Sequence, residues 1–388
     1  MSNLKYQYIL LALCLLKSIS SSSSHTTSND IHPSPKQNCI KKVFAFGDSF
    51  TDTGNARLLG NLSAYASALF PGSPLGSTFF QSPKKRFSDG RLVIDFLMER
   101  LEIPRIQVYM NYTANFTYGA NFAVSGSTAL SVNVAAKYKQ GRASTWQPLP
   151  EYIQTQMDWF SKFIANAYGS GNDESKEYDF ERSLFWIGEF GASDYIKAFG
   201  KALLAPSQSL TEIAVDNVCT LLKNILDKGA KQVVVQGLPP SGCFPLELWL
   251  APAQDRDDKG CARTANSIII AHNNLLQAKI EEIRKQYTQS TILYADYWGA
   301  YYEIISNPKK YGFDEPFKAC CGGGGGYFNF DVRYLCGTLL ATQCPDPNKY
   351  ISWDGIHLTD AMSGKMADLF FSGGFCKPSF DEFIRTCR

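Results

Sequence analysis

The chain has 388 residues, 45% apolar and 19% charged, so it can bury a substantial core and is not a disordered segment. Lys and Arg number 38 against 36 Asp and Glu, a formal balance of +2. That near-neutrality argues against nucleic acid or an anionic membrane surface as main partner, since either would want a basic excess. No run of about 18 apolar residues occurs, so no integral membrane anchor is expected.

At the amino terminus, Lys5 precedes the apolar run Tyr8 to Leu16, and Lys17 and the serine tract Ser18 to Ser24 follow. A basic start, an apolar stretch and then small residues predict a secretory signal peptide over residues 1–24, with cleavage within about residues 20–30. Its removal takes away Lys5 and Lys17 and no acid, leaving 36 basic against 36 acidic residues. A polar leader, 25–40, comes next. No linker interrupts the rest, so 41–388 is expected to form one domain.

The short apolar run Val43 to Phe46, bounded by Gly47, predicts a buried strand. Leu92, Val93, Phe96, Leu97 and Leu101 then make a helical stripe, and Leu184 to Ile187 a second strand. Val218, Leu221, Leu222 and Ile225 recur at helical spacing before the strand Val233 to Val235. Ile268 to Ile283 marks a long helix, followed by the strand Ile292 to Tyr294 and a last helix from near Asp360. Strand–helix alternation predicts an α/β fold, a mainly parallel sheet covered on both faces. Pro71 to Pro83, Gly169 to Glu177 and the five-glycine run Gly322 to Gly326 are expected to be loops. The glycine run lacks the Lys-Ser/Thr of a phosphate-binding loop.

Cysteine usage fits export. Cys14 leaves with the signal and ten remain, an even number that suggests disulfides. Cys243 and Cys261 flank an irregular stretch that a bridge would close, and the adjacent Cys320 and Cys321 should each pair elsewhere. No C-x-x-C pair exists and the four His do not cluster with cysteines, so the spacing does not suggest a metal site. Three N-x-S/T sequons, at Asn61, Asn111 and Asn115, fit a glycosylated protein of the secretory pathway, secreted or vacuolar.

In such sheets ligands bind beyond the carboxyl ends of the strands. Four segments fall there or near the end of the chain: Gly47 to Asn55, Gly119 to Ser127, Gly188 to Asp194, and Trp353 to Thr359. Ser49 follows a strand and a glycine, a position that suits either a nucleophile or a helix cap. A serine needs a base to take its proton, and His is the usual one. His25 and His32 lie in the leader and His272 in the long helix. His357 is left as the candidate, with Asp354 three residues before it, able to reach its other ring nitrogen. Asp48 and Asp194 are expected to be structural hydrogen-bond partners, and Trp353 to pack behind the Asp–His turn.

Taken in order, Phe46-Gly47-Asp48-Ser49-Phe50-Thr51-Asp52-Thr53-Gly54-Asn55, Asn121 to Ser127, Gly188 to Asp194, Gly237 to Pro245 and Ser352 to Thr359 resemble the plant GDSL-type lipase/esterase family of the SGNH hydrolase superfamily. The resemblance runs from about Lys41 to Cys376. It implies a three-layer α/β/α sandwich with a mainly parallel sheet. It also implies Ser49 as nucleophile, His357 as base and then acid, and Asp354 as the residue orienting His357. The backbone N–H groups of Ser49 and Gly126 would serve the oxyanion hole, and no metal or organic cofactor is implied. Phe50 replaces the leucine of the family name. Ser193 stands where the family usually has an asparagine whose amide donates to the oxyanion, and loss of one such donor can cost about 10²–10³ in turnover. The stretch Leu184 to Glu189 resembles the subgroup that includes sinapine esterase and acetylajmalan esterase, which implies a small acyl ester of plant specialised metabolism as substrate. Two other readings stay open: an acyltransferase using the same acyl-enzyme, and a glycosylated binding or defence protein with little turnover.

Overall fold

A computed structural model describes residues 39–59, 75–80, 86–137, 152–169, 174–199 and 208–386. The expected signal peptide and most of the leader, Asn61, and most of the stretch Pro71 to Pro83 lie outside the described residues.

Six parallel strands make the sheet: β1 (Lys42–Phe46), β2 (Gln107–Val108), β3 (Gly119–Asn121), β4 (Ser183–Ile187), β5 (Gln232–Gln236) and β6 (Thr291–Ala295). Their spatial order is β6-β5-β4-β1-β3-β2, and the strand Cys376–Lys377 adds antiparallel on the β6 edge. The sheet is therefore mainly parallel, as expected. β1 lies between β3 and β4, with Phe46 in register with Ile187.

Side chains alternate along each strand and so feed two separate cores. Val43, Ala45, Leu184, Trp186, Val234 and Leu293 point to one face. There they meet the helices Val93–Arg100, Tyr297–Ser306, Asp360–Phe371 and Phe380–Thr386. Phe44, Phe46, Phe185, Ile187, Val233 and Val235 point to the other. That face is covered by Ile153–Tyr168, Glu174–Glu181, Gln208–Asp227 and Arg263–Gln286. The result is a three-layer α/β/α sandwich. The second core is rich in rings: Phe44 packs against Phe160, Phe163, Phe180 and Phe185 with centroids 5.2–5.9 Å apart.

Two expectations need correction. Glu174–Glu181 is helical within the stretch read as an acidic loop. Glu174 and Glu177 sit in its first turn, where negative charge is favoured, and buried Phe180 anchors it. The helix from Asp360 is not the last, because Phe380–Thr386 follows and buries Phe380 and Phe383. The disulfides expected from the cysteine count are present, while Cys219 and Cys376 are free and buried as small apolar side chains. Three bridges are formed, Cys243–Cys261, Cys320–Cys344 and Cys321–Cys336. Cys39 is also bridged, to a partner outside the described residues.

Candidate active site

β1 ends at Phe46, and the chain turns at once. The N–H groups of Thr51 and Asp52 donate to the Asp48 carbonyl at 3.1 and 2.8 Å, and Phe50 N–H donates to Asp48 Oδ1 at 3.0 Å. This tight turn leaves Ser49 at the carboxyl end of the sheet. It fits only because β4 continues as glycine: a Cβ on Gly188 would stand 2.3 Å from Thr51 Oγ1 and 2.7 Å from the Phe46 carbonyl oxygen.

Asp354 and His357 arrive from a separate two-stranded sheet, on the turn after the strand Tyr350–Ser352. Asp354 Oδ1 accepts the N–H groups of Ile356 and His357 at 3.0 and 2.8 Å, folding the turn around its own carboxylate. Asp354 Oδ2 meets His357 Nδ1 at 2.7 Å, and His357 Nε2 lies 2.8 Å from Ser49 Oγ. The network assigns the proton on Nδ1 to the Asp354 bond, leaving the Nε2 lone pair toward the serine hydroxyl. Burial alone would raise Asp354. The charge of His357 and the hydrogen bonds from its ring and backbone outweigh that and hold the carboxyl below its usual range. Gly355 has φ 98°, and a Cβ there would come within 2.2 Å of the Phe330 ring. Trp353 is fully buried, its backbone N–H donating to the His357 carbonyl at 2.7 Å, which bears out a packing role.

The imidazole is clamped by rings. Phe87 and Phe50 lie 5.0 and 5.5 Å from its centroid. Next to Phe87, the Arg86 guanidinium makes a two-pronged pair with buried Asp95 at 2.6 and 2.7 Å. Asp89 Oδ1 accepts Asp360 N–H at 2.8 Å, fixing this segment to the helix that follows His357.

Gly126, with φ 82°, sits on the loop after β3. One carboxylate joins this loop to the nucleophile loop. Asp52 accepts Gly54 and Asn55 N–H, both at 2.7 Å, and also Ser125 N–H at 2.8 Å and Ser125 Oγ at 2.9 Å. Ser193 is half-buried near the start of the helix Ala192–Phe199. Its hydroxyl donates to Asp48 Oδ2 at 2.8 Å, so it points beneath Ser49. Of the sequons, Asn115 is exposed and Asn111 partly so, each side-chain carbonyl accepting its own sequon threonine hydroxyl.

A family model for GDSL-like lipase/acylhydrolase matches residues 43–370, a span that holds Ser49, Gly126, Ser193, Asp354 and His357. The chain belongs to this family. A GDSL esterase/lipase of Arabidopsis thaliana is 43% identical over 352 residues, covering 89% of this chain and 89% of that protein. Acetylajmalan esterase 2 of Rauvolfia serpentina is 36% identical over 324 residues, covering 82% and 86%. A further Arabidopsis GDSL esterase/lipase is 33% identical over 349 residues, covering 88% and 86%. As a GDSL esterase/lipase, the chain is a carboxylic-ester hydrolase.

Beside Ser49 and His357 of this GDSL hydrolase opens a cleft of about 210 Å³, solvent mouth included. Phe50, Phe87, Leu92, Val93, Tyr297 and Leu358 line it, with Ser363 as a polar member. These mostly apolar side chains flank the Ser49 hydroxyl and the His357 ring. No helix among the described residues is long and apolar enough to cross a membrane.

Residue reasoning missed Gln156, whose amide accepts Gly47 N–H at 3.0 Å and donates to the Gly47 carbonyl at 2.7 Å and to Ser127 Oγ at 3.0 Å. It also missed Glu189, fully buried two residues past the end of β4, where Oε2 accepts Ala192 N–H at 3.2 Å. Burial, and then the neighbouring Asp48 charge, push Glu189 well above the ordinary carboxyl range. His272 is neither surface nor site. It is fully buried, 2.8 Å from the Tyr195 hydroxyl, and burial lowers it to about 3. Asp194 is structural as expected, accepting Ala129 and Leu130 N–H at 2.7 and 3.0 Å.

Proposed function

We propose that this protein hydrolyses a small acyl ester of plant specialised metabolism through a serine acyl-enzyme. The reading rests above all on the unbroken hydrogen-bond line from Asp354 through His357 to Ser49. Ser49 Oγ attacks the ester carbonyl carbon while His357 Nε2 takes its proton. The tetrahedral oxyanion is met by the N–H groups of Ser49 and Gly126. Its collapse breaks the bond to the alcohol, whose oxygen receives the proton from His357. Water then repeats the sequence on the acyl-serine and frees the acid. Asp354 holds the ring in the needed tautomer and stabilises the imidazolium. Ser193 contributes to the oxyanion only after its hydroxyl leaves Asp48. The likeness to acetylajmalan esterase supports a small acyl part over a long fatty chain.

The bridged cysteines support passage through the secretory pathway, with residues 1–24 as signal, a polar leader 25–40, one hydrolase domain over 41–388, and glycans at Asn61, Asn111 and Asn115. The test uses purified, glycosylated protein with acetyl and longer p-nitrophenyl esters, with and without added alcohols. Acetyl ester turnover in water, lost in Ser49→Ala, is expected. Product formed only when an alcohol is present would make the protein an acyltransferase, and no turnover with any ester would leave a binding protein.

A further inference from the structure

Asp48 and Glu189 extend from the paired ends of β1 and β4, each two residues past the in-register pair Phe46 and Ile187. Both are buried, with 1% and 0% exposure, and each carboxyl group acts directly on the ionisation of the other. Among the described residues no Lys or Arg pairs with either. Two facing carboxylates without a counter-ion in a dry site are not sustainable, and one shared proton resolves the conflict.

The surrounding donors say where that proton sits. Asp48 Oδ1 accepts Phe50 N–H at 3.0 Å, and Asp48 Oδ2 accepts the Ser193 hydroxyl at 2.8 Å. Glu189 Oε2 accepts Ala192 N–H at 3.2 Å. Glu189 Oε1 is buried and receives no donor among the described residues. An oxygen that accepts nothing is costly as a carboxylate and satisfied as an O–H donor. Asp48 is the acceptor on all sides and carries the single negative charge. The other ionisable groups acting on the pair are Asp194, Tyr297 and His357.

We propose that Glu189 is a positioning residue held as a neutral carboxylic acid, whose proton is donated to Asp48. Through Asp48 the pair fixes the turn that presents Ser49 and holds the Ser193 hydroxyl beneath the nucleophile. The idea rests on the reading of Ser49 as nucleophile for its kinetic consequence, but not for the location of the proton.

Two measurements test it. The first is the infrared carbonyl stretch of protonated carboxyl groups at pH 7, recorded in a Glu247→Gln background because Glu247, raised to about 8 by burial, would add a band of its own. A band that disappears on adding Glu189→Gln is expected; no such band overturns the proposal. The second compares side chains on ester turnover. Glu189→Leu should lower kcat by about tenfold or more with little change in KM, as expected when reacting groups are misplaced. Glu189→Gln, whose amide can donate to Asp48 and accept from Ala192, should recover most of it. Equal loss in Gln and Leu overturns the proposal, and if the Leu variant does not fold, the band and the Gln variant still decide. Fluorophosphonate labelling of the wild type reports separately on Ser49: an unlabelled serine with the band present defeats the esterase mechanism and leaves the neutral Glu189 standing.

Discussion

This protein buries ionisable groups that the hydrolytic step does not use, and their burial ties its stability to pH. Glu247 is 1% exposed, and burial raises it to about 8. A carboxyl raised on folding gives stability that is fully present below its unfolded value near 4.5 and is lost as pH rises toward about 8. Urea unfolding of Glu247→Gln should therefore lack that alkaline decline and be more stable than the wild type at pH 8, by roughly a few kcal/mol at most. An unchanged pH slope would mean that Glu247 is not held neutral. His272 works in the opposite direction. Lowered to about 3, it contributes stability above its unfolded value of 6.5 that is lost as pH falls. Asp354, held below its ordinary range, contributes in the same sense at still lower pH. At this same scale, Asp354→Asn should leave the fold intact and lower kcat by about 10⁴, since the imidazole would lose both its tautomer and its counter-charge. Stopped-time ester assays beside thermal melts would separate that loss from unfolding.

At the scale of elements, three loops from different strands meet through short polar ties. Asp52 joins the loops after β1 and β3, and Gln156 holds Gly47 from the helix Ile153–Tyr168. Removing the Asp52 carboxylate would leave buried Ser125 and Asn55 N–H groups unsatisfied. Asp52→Ala should cost about 2–5 kcal/mol in denaturant unfolding and lower kcat as well, because Gly126 loses its fixed place. A variant as stable as wild type would show the two loops to be held otherwise. These ties explain what the sequence hid. β1 was legible because Val43 to Phe46 is a short apolar run stopped by glycine, and the long helices because their apolar spacing is regular. Gln156 carries no such signal: two of its partners are backbone atoms of Gly47, 109 positions away, brought near only by the fold. Glu189 looked like one more polar residue after a strand until β4 was laid beside β1. Glu174–Glu181 escaped because a single buried ring, Phe180, anchors an otherwise polar helix. Asp354 and His357 could be read locally as a turn, but their reach to Ser49 came from the family resemblance alone.

Over the whole molecule, the sheet carries Ser49 and a bridged lobe carries Asp354 and His357. Cys320–Cys344 and Cys321–Cys336 close loops of 24 and 15 residues beside the Asp354 turn. Cys320 N–H donates to the Ser352 carbonyl at 3.0 Å and Cys321 N–H to the Trp353 carbonyl at 2.6 Å. The bridges thus sit one hydrogen bond from Ser352 and Trp353, where the chain leads into the Asp354–His357 turn. Each is worth about 3 kcal/mol in the loop-entropy picture. Mild reduction should therefore abolish ester turnover at temperatures where the circular dichroism of the α/β/α core is retained. Turnover that survives full reduction of both bridges would contradict this division of labour.

The most direct test of the proposed acyl-enzyme is its capture. The purified protein is treated with a fluorophosphonate or an activated acetyl ester, digested, and the modified peptide sequenced by mass spectrometry. We expect one adduct, on Ser49, formed rapidly in the wild type, slowed by about 10⁴ or more in His357→Ala and absent in Ser49→Ala. An adduct on another residue, or an unmodified Ser49 in an enzyme that still turns over esters, would contradict the mechanism.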